Sequence, residues 1–172
     1  MGIIVCGLNG SGKSSLGKAL AETIGFYFID NEDLFFPKTD PHYIFANPRS
    51  HEEVINILFD TARRNKNFVF SAVRGDYGKD IIPFYHYAVF IDVPKEIRLK
   101  RIRNRSFQKF GNRMLPGGDL YEREKAFFDM VSDRPEYYVE EWIQTLRCPI
   151  LRVDGTKPIK ENVALIVEQL QK

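Results

Sequence analysis

Short runs of buried-type apolar residues alternate along this chain with stretches whose apolar positions recur every three or four residues. Ile3–Cys6 reads as a strand. Lys13–Ile24 reads as an amphipathic helix, because Leu16, Leu20 and Ile24 fall four apart on one face. Phe26–Ile29 is a second strand. Val54, Ile55, Leu58 and Ala62 mark a helix face behind Ser50, and Glu53, three residues after that serine, completes a capping-box signature. Phe68–Val73 and Tyr87–Ile91 read as the third and fourth strands, with Pro94 at the start of the next helix. Ile150–Val153 is a fifth strand and Ile159–Leu170 a closing amphipathic helix. Strands separated by helices in this way predict an α/β fold with parallel pairing and crossover connections. The long connections follow the second and fourth strands, and connections of that length in a compact domain are usually functional.

Composition narrows the classes. A length of 172 residues fits one domain spanning 1–172, with no internal repeat or low-complexity linker. Twenty-five basic and 23 acidic residues leave a net charge of +2, too weak a balance to call for a nucleic acid or an acidic membrane surface as partner. No apolar run reaches the roughly 18 residues that a membrane helix needs, and Met1–Gly7 lacks the basic start of a secretory signal. Cys6 and Cys148 form no C-x-x-C pair and read as two thiols of a reducing compartment. The expected location is the cytoplasm. His42, His51 and His86 are scattered without metal-ligand spacing.

The strongest chemical signal is Gly7-Leu8-Asn9-Gly10-Ser11-Gly12-Lys13-Ser14, which fits G-x-x-x-x-G-K-[ST] at every fixed position. It lies between a predicted strand and a predicted helix, the context in which this motif holds phosphate. Glycines let successive N–H groups turn inward as an anion nest, and the helix N-terminus adds partial positive charge. Lys13 can bridge the β- and γ-phosphates, Ser14 can ligate Mg²⁺, and Asn9, Ser11 and Ser15 complete the nucleotide contacts.

Arg98 to Arg113 holds seven basic residues and no acidic one. Arg101 and Arg105, four apart, share a helix face. Such a run is either a solvated face or a set of guanidinium groups that close over a triphosphate. Residues 106–118 combine cations with glycines, a composition that suits a mobile lid. Arg123 and Arg134 are further lid candidates.

Asp30, Glu32 and Asp33 stand at the C-terminal end of the second strand, where ligands of open parallel sheets bind. They can orient an acceptor hydroxyl, serve as a base, or hold Mg²⁺ through water, with Asp30 and Ser14 as the metal candidates. The alternative is an N-cap cluster for a helix starting near Leu34, with Asp30 or Asn31 as the cap. Such a corner favours a hydroxyl or amine acceptor. Arg49, in an acceptor-binding insertion of about 31–66, and Arg74, after the third strand, are where a negative acceptor would be met. Phe35, Phe36, Tyr43 and Phe45 either stack on an acceptor ring or pack the lid.

Taken together, these segments resemble the small P-loop kinases of the nucleoside monophosphate kinase, shikimate kinase and gluconate kinase group. "VCGLNGSGKSSLGKALAETIGFYFIDNEDLF" is similar to the shikimate kinase opening, and "VFIDVPKEIRLKRIRNR" to the fourth strand and lid-entry helix of adenylate kinase-like enzymes. "LRVDGTKPIKENV" is similar to their fifth strand and adenine-binding loop. The loop motif also fits an AAA-type ATP-binding module. The resemblance implies a three-layer P-loop fold, a five-stranded parallel sheet flanked by helices with an acceptor-binding insertion and a lid. It implies that Arg101 stacks on adenine and Arg105 contacts phosphate, with Gly155, Thr156, Lys157 and Pro158 lining the adenine pocket. Asp30 and Glu32 take the positions of the acidic pair near Mg²⁺ and acceptor. Two departures bear on the substrate: Phe70-Ser71-Ala72-Val73 carries no Walker-B aspartate, and Arg74-Gly75-Asp76 does not reproduce the shikimate kinase glycine triplet.

The expectation is therefore phosphoryl transfer from Mg²⁺–ATP to a small-molecule acceptor, with Lys13, Asp30 and Arg105 as the reacting-site residues. A nucleoside or nucleoside monophosphate kinase is the second reading, and a nucleotide-binding regulatory module without an acceptor the third.

Overall fold

A computed structural model describes residues 1–171 of the chain. Five parallel strands, β1 (Gly2–Cys6), β2 (Tyr27–Asp30), β3 (Phe68–Ala72), β4 (Tyr85–Asp92) and β5 (Ile150–Asp154), form one sheet in the order β2-β3-β1-β4-β5. The expected α/β class and the five-stranded parallel sheet are both present. β1 and β3 are buried along their whole length, as expected of central strands covered on both faces. β4 starts two residues earlier than its apolar run. Gly2 pairs with Tyr85 but Ile3 with Tyr87, so a bulge hides the first part of the strand behind the exposed His86.

Helices α1 (Lys13–Ile24) and α7 (Ile159–Leu170) cover one face of the sheet. There Leu16, Leu20, Val163 and Ile166 meet Ile3, Val5, Val89 and Ile91. On the other face α3 (His51–Arg64) and α6 (Tyr138–Ile143) bring Val54, Leu58, Val139 and Trp142 against Ile4, Phe68 and Phe70. Full burial of one such aliphatic side chain is worth about 1.5–3 kcal/mol. The capping box of α3 forms as the sequence predicts. Ser50 Oγ accepts from the Glu53 amide at 3.2 Å, and the Glu53 carboxylate accepts from the Ser50 amide at 2.8 Å.

The region after β4 is more helical than the sequence pattern shows. α4 (Lys95–Phe110) runs through the first part of the expected lid, because Ile102, Ser106 and Phe110, four apart, bury a continuous face. Gly111, at φ +56, ends it, and a 3₁₀ turn over Gly111–Met114 follows. Arg113 holds Asp119 at 2.6 Å before α5 (Tyr121–Asp133) begins. The insertion after β2 contains the short α2 (Asn31–Phe35), an irregular crossing and α3. Arg98 of α4 is buried. Its Nε donates to the Val93 carbonyl at 3.0 Å and its Nη2 pairs with both oxygens of Glu136. Among the described residues no helix is long and apolar enough to cross a membrane.

Candidate active site

The Gly7–Ser14 loop joins β1 to α1 at the C-terminal edge of the sheet, beside the central strand. Its shape requires glycine at particular places. Gly10 has φ +81, and a Cβ there would come within 2.5 Å of the Arg98 carbonyl oxygen. Gly12 has φ +96 and is the cap before α1, with open space where a side chain would go. A Cβ on Gly17 would meet Ser71 Oγ at 2.1 Å, so α1 lies hard against the end of β3. Ser71 stands in the segment that lacks a Walker-B aspartate, and its hydroxyl donates to the Lys13 carbonyl at 3.1 Å.

Lys13 carries the electrostatic signature of the site. Its ammonium donates to the Leu8 carbonyl at 3.2 Å. Its pKa is lowered to about 8, first by burial and then by the like charge of Arg105, with a smaller contribution from Arg134. Asp30 pulls in the opposite direction. A buried ammonium facing other cations is relieved by anionic oxygens, and that is what a triphosphate would bring. Arg134, left open by sequence reasoning, reaches the loop. Its Nη1 donates to Asn9 Oδ1 at 2.5 Å. Arg123 instead lies over the Tyr43 ring, 5.3 Å from its centroid.

Two cavities flank the loop. One, of about 250 Å³, is lined by Ser11, Gly12, Ser15, Arg101, Gly155 and Lys157, among others. Arg101 Nη2 donates to the Gly155 carbonyl at 3.0 Å and Nη1 reaches the Ser11 carbonyl at 3.5 Å. The Asp154 carboxylate accepts from the Thr156 amide and hydroxyl, fixing the turn that precedes Pro158, the cap of α7. Of the residues expected at the adenine, Arg101, Gly155 and Lys157 line this cavity, and Thr156 and Pro158 belong to the same turn without lining it.

The other cavity, about 280 Å³, opens on the far side. Its lining includes Asn9, Gly10, Lys13 and Ser14 of the loop, Asp30 and Glu32 after β2, Phe36, Tyr43 and Phe45 of the insertion, and Arg105, Lys109, Glu124 and Phe127 of α4 and α5. Asp30 caps α2 through Oδ1, which accepts from the Glu32 amide at 2.9 Å. Its second oxygen makes no hydrogen bond among the described residues. Both readings of Asp30 from the sequence, cap and cavity group, therefore coexist in one side chain. Among the described residues no three His, Cys, Asp or Glu side chains come together in a way that could hold a metal ion by themselves. A Mg²⁺ here would need phosphate oxygens and waters beside Ser14 and Asp30, a donor set that Mg²⁺ ordinarily accepts.

Three expected acceptor contacts point elsewhere. Asp33 is exposed and binds Lys38 at 2.6 Å. Arg49 is turned onto the end of α2, where Nη1 donates to the carbonyls of Asp33 and Leu34 at 3.0 and 2.7 Å, satisfying groups that the short helix leaves open. Arg74 pairs with Asp76 at 2.6 Å and lies 4.6 Å from the Tyr138 ring centroid. None of the three lines the cavity. Glu124 does, and no sequence signal marked it. It is 4% exposed, and one of its oxygens accepts from the Tyr43 hydroxyl at 2.8 Å. A larger groove of about 750 Å³ between α1 and α7 lies away from the loop and has a mainly apolar lining.

The family model described as AAA domain (AAA_18) matches residues 3–113, the part that holds the loop, Asp30 and Arg105. The chain belongs to this AAA domain family. As an AAA-domain chain it is similar over nearly its whole length to the Uncharacterized protein YqaC of Bacillus subtilis (strain 168). The two are 27% identical over 176 residues, which cover 98% of this chain and 96% of that one. Its fold is that of the small P-loop kinases. The shikimate kinase of Bacteroides thetaiotaomicron superposes with a TM-score of 0.60 at 20% identity, covering 100% of this chain and 99% of its own. The shikimate kinase of Aquifex aeolicus vf5 gives 0.54 at 21% identity, over 99% and 96%. A gluconokinase of Sinorhizobium meliloti 1021 gives 0.50 at 19%, over 99% and 95%.

Proposed function

We propose that this AAA-domain chain transfers the γ-phosphoryl group of Mg²⁺–ATP to a hydroxyl of a small molecule. The observation that carries the reading is the placement of the phosphate loop between two cavities. One is faced by Arg101 and the Gly155 turn, and the other holds Lys13, Arg105 and Asp30 together. A nucleotide base on the first side and an acceptor on the second would leave the transferred group between them. Catalysis would then be mainly positioning and electrostatics.

In this reading the base lies near Arg101, Gly155, Thr156, Lys157 and Pro158, and the phosphates lie on Gly7–Ser15. Lys13, Arg105 and Arg134 neutralise charge that builds on the transferring group. Asp30 orients the acceptor hydroxyl through its free oxygen and takes the hydroxyl proton. The acceptor oxygen forms a bond to the γ-phosphorus, the bond to the β–γ bridging oxygen breaks, and ADP leaves. Ser14 and Asp30 would hold Mg²⁺, which would supply further charge neutralisation. Glu32 lines the acceptor cavity.

The test is acceptor-dependent ADP release from Mg²⁺–ATP, with Lys13→Ala as the comparison. Release that depends on both acceptor and Lys13 is expected. Equal release by Lys13→Ala contradicts the reading.

A further inference from the structure

The acceptor cavity has lining residues that the phosphate chemistry does not use, and its charges restrict what can enter. Glu124, on α5, is a carboxylate buried at 4% exposure. It accepts a hydrogen bond from Tyr43, which lines the same cavity, and it makes no ion pair among the described residues. Burying a carboxylate without a cation is costly, so a ligand that brings donors to it is favoured over one that does not.

The cations in and around the cavity that could have welcomed an acid already have partners, Lys109 within the cavity and the others outside it. Lys109 lies 3.7 Å from Glu32 and 4.7 Å from the Phe45 ring centroid. Arg123 covers the Tyr43 ring, Arg49 holds α2 carbonyls, and Arg74 is paired with Asp76. Lys13 and Arg105 also line the cavity and, in the reading above, are taken up by the phosphates. An anionic acceptor would therefore meet Asp30, Glu32 and Glu124 with no cation beyond those that the phosphates and Glu32 engage. The remaining wall is aromatic. Phe36 and Phe45 meet edge to face at 5.2 Å between centroids, and Tyr43 and Phe45 do so at 5.7 Å. Such a wall accepts the apolar or flat face of a ring and attracts a cation.

We propose that the acceptor is a hydroxyl compound that presents an ammonium or hydroxyl donor to Glu124, lays an apolar face on Phe36 and Phe45, and carries no carboxylate or phosphate of its own. Glu124 is a specificity residue in this account and Asp30 remains the group at the reacting hydroxyl. The inference rests on the kinase reading above, and its test separates the two.

The experiment measures ADP release from Mg²⁺–ATP with matched acceptor pairs. These are a nucleoside against its 5′-monophosphate, glucosamine against glucuronate, and an amino alcohol against the hydroxy acid of equal length. The non-anionic member of at least one pair is expected to react with kcat/KM more than about tenfold above its partner. Glu124→Gln is expected to raise the KM for that acceptor about tenfold or more and to leave the KM for ATP unchanged. The glutamine oxygen still accepts from Tyr43 while the buried charge is gone, so the ligand-free melting temperature should rise. A purely structural glutamate would give a lower melting temperature and an unchanged acceptor KM, and that result overturns the inference. Preference for the anionic members overturns it directly in the wild-type protein, whether or not Glu124→Gln folds. Absence of turnover with every non-anionic member, with Lys13-dependent binding of Mg²⁺–ATP retained, also overturns it and spares the nucleotide half of the reading. Loss of that binding sinks the kinase reading itself.

Discussion

Arg134 and Asn9 are 125 residues apart in sequence and are joined by a hydrogen bond of 2.5 Å from guanidinium to side-chain carbonyl. The contact links the end of α5 to the phosphate loop, and Arg134 adds to the positive field at Lys13. Among the two arginines that sequence reasoning left open, this geometry singles out Arg134 over Arg123.

Arg134→Ala is therefore expected to lower turnover by roughly 10²-fold or more, the scale of removing one preorganised charge stabiliser. Its melting temperature should change little, because the side chain is only half-buried. Steady-state kinetics beside thermal unfolding check this. Unchanged kcat with a large drop in melting temperature would make Arg134 a structural brace only.

Lys13 predicts two pH effects. Its pKa in the folded chain is about 8, against an ordinary value of 10.5. Between these values the unfolded chain holds a proton that the folded chain has released, so stability should rise as pH goes from about 8 towards 10.5. Lys13→Met removes the buried charge. It should be more stable than the wild type near pH 7 and lose that rising limb, which urea unfolding across this window would show. Nucleotide affinity should run the opposite way. Phosphates favour the ammonium form, so ATP binding should weaken as pH rises through about 8, while Lys13→Met binds weakly throughout.

Gly10 and Gly12 both have positive φ but differ in surroundings. Gly12→Ala meets no neighbour and should cost about 1–2 kcal/mol from the left-handed backbone alone. Gly10→Ala adds a contact of 2.5 Å with the Arg98 carbonyl and should be the more destabilising. Equal losses on thermal unfolding would contradict the close approach of the loop to α4.

Arg98 is buried, and Glu136 answers its charge from a half-exposed position. Glu136→Ala leaves the guanidinium without that partner and should cost about 1.5–3 kcal/mol, the range for hydrogen bonds to charged groups. Because Arg98 lies directly under Gly10, weaker ATP binding should accompany the loss of stability. Calorimetric titration of the variant checks the coupling.

The parts of this fold with local causes were readable in the chain. Leu16 and Leu20 at helical spacing gave α1, and Ser50 with Glu53 gave the start of α3. Gly7–Ser14 carried its own context. α5 is not evident in the sequence because its cap, Leu120, offers no capping side chain, and one of its two buried positions, seven apart on one face, is the polar Glu124. α6 is six residues long, too short to show one. Glu124 looks like any surface glutamate until Tyr43 is brought onto it from the insertion. Arg49 could not be told from a ligand contact, since its partners are the Asp33 and Leu34 carbonyls, chosen by backbone geometry rather than residue type, whereas the partner of Arg74, the Asp76 carboxylate two residues on, was open to a sequence reading.

The central claim is that the γ-phosphoryl group of ATP passes to a hydroxyl acceptor at Lys13. The most direct measurement is transfer of γ-labelled phosphate from Mg²⁺–ATP to the acceptor panel, read as labelled product, for the wild type and Lys13→Met in parallel. The account predicts a labelled phosphoester with the wild type and none above background with Lys13→Met. Equal labelling by both proteins, or tight Lys13-dependent ATP binding with no labelled product from any acceptor, would contradict it.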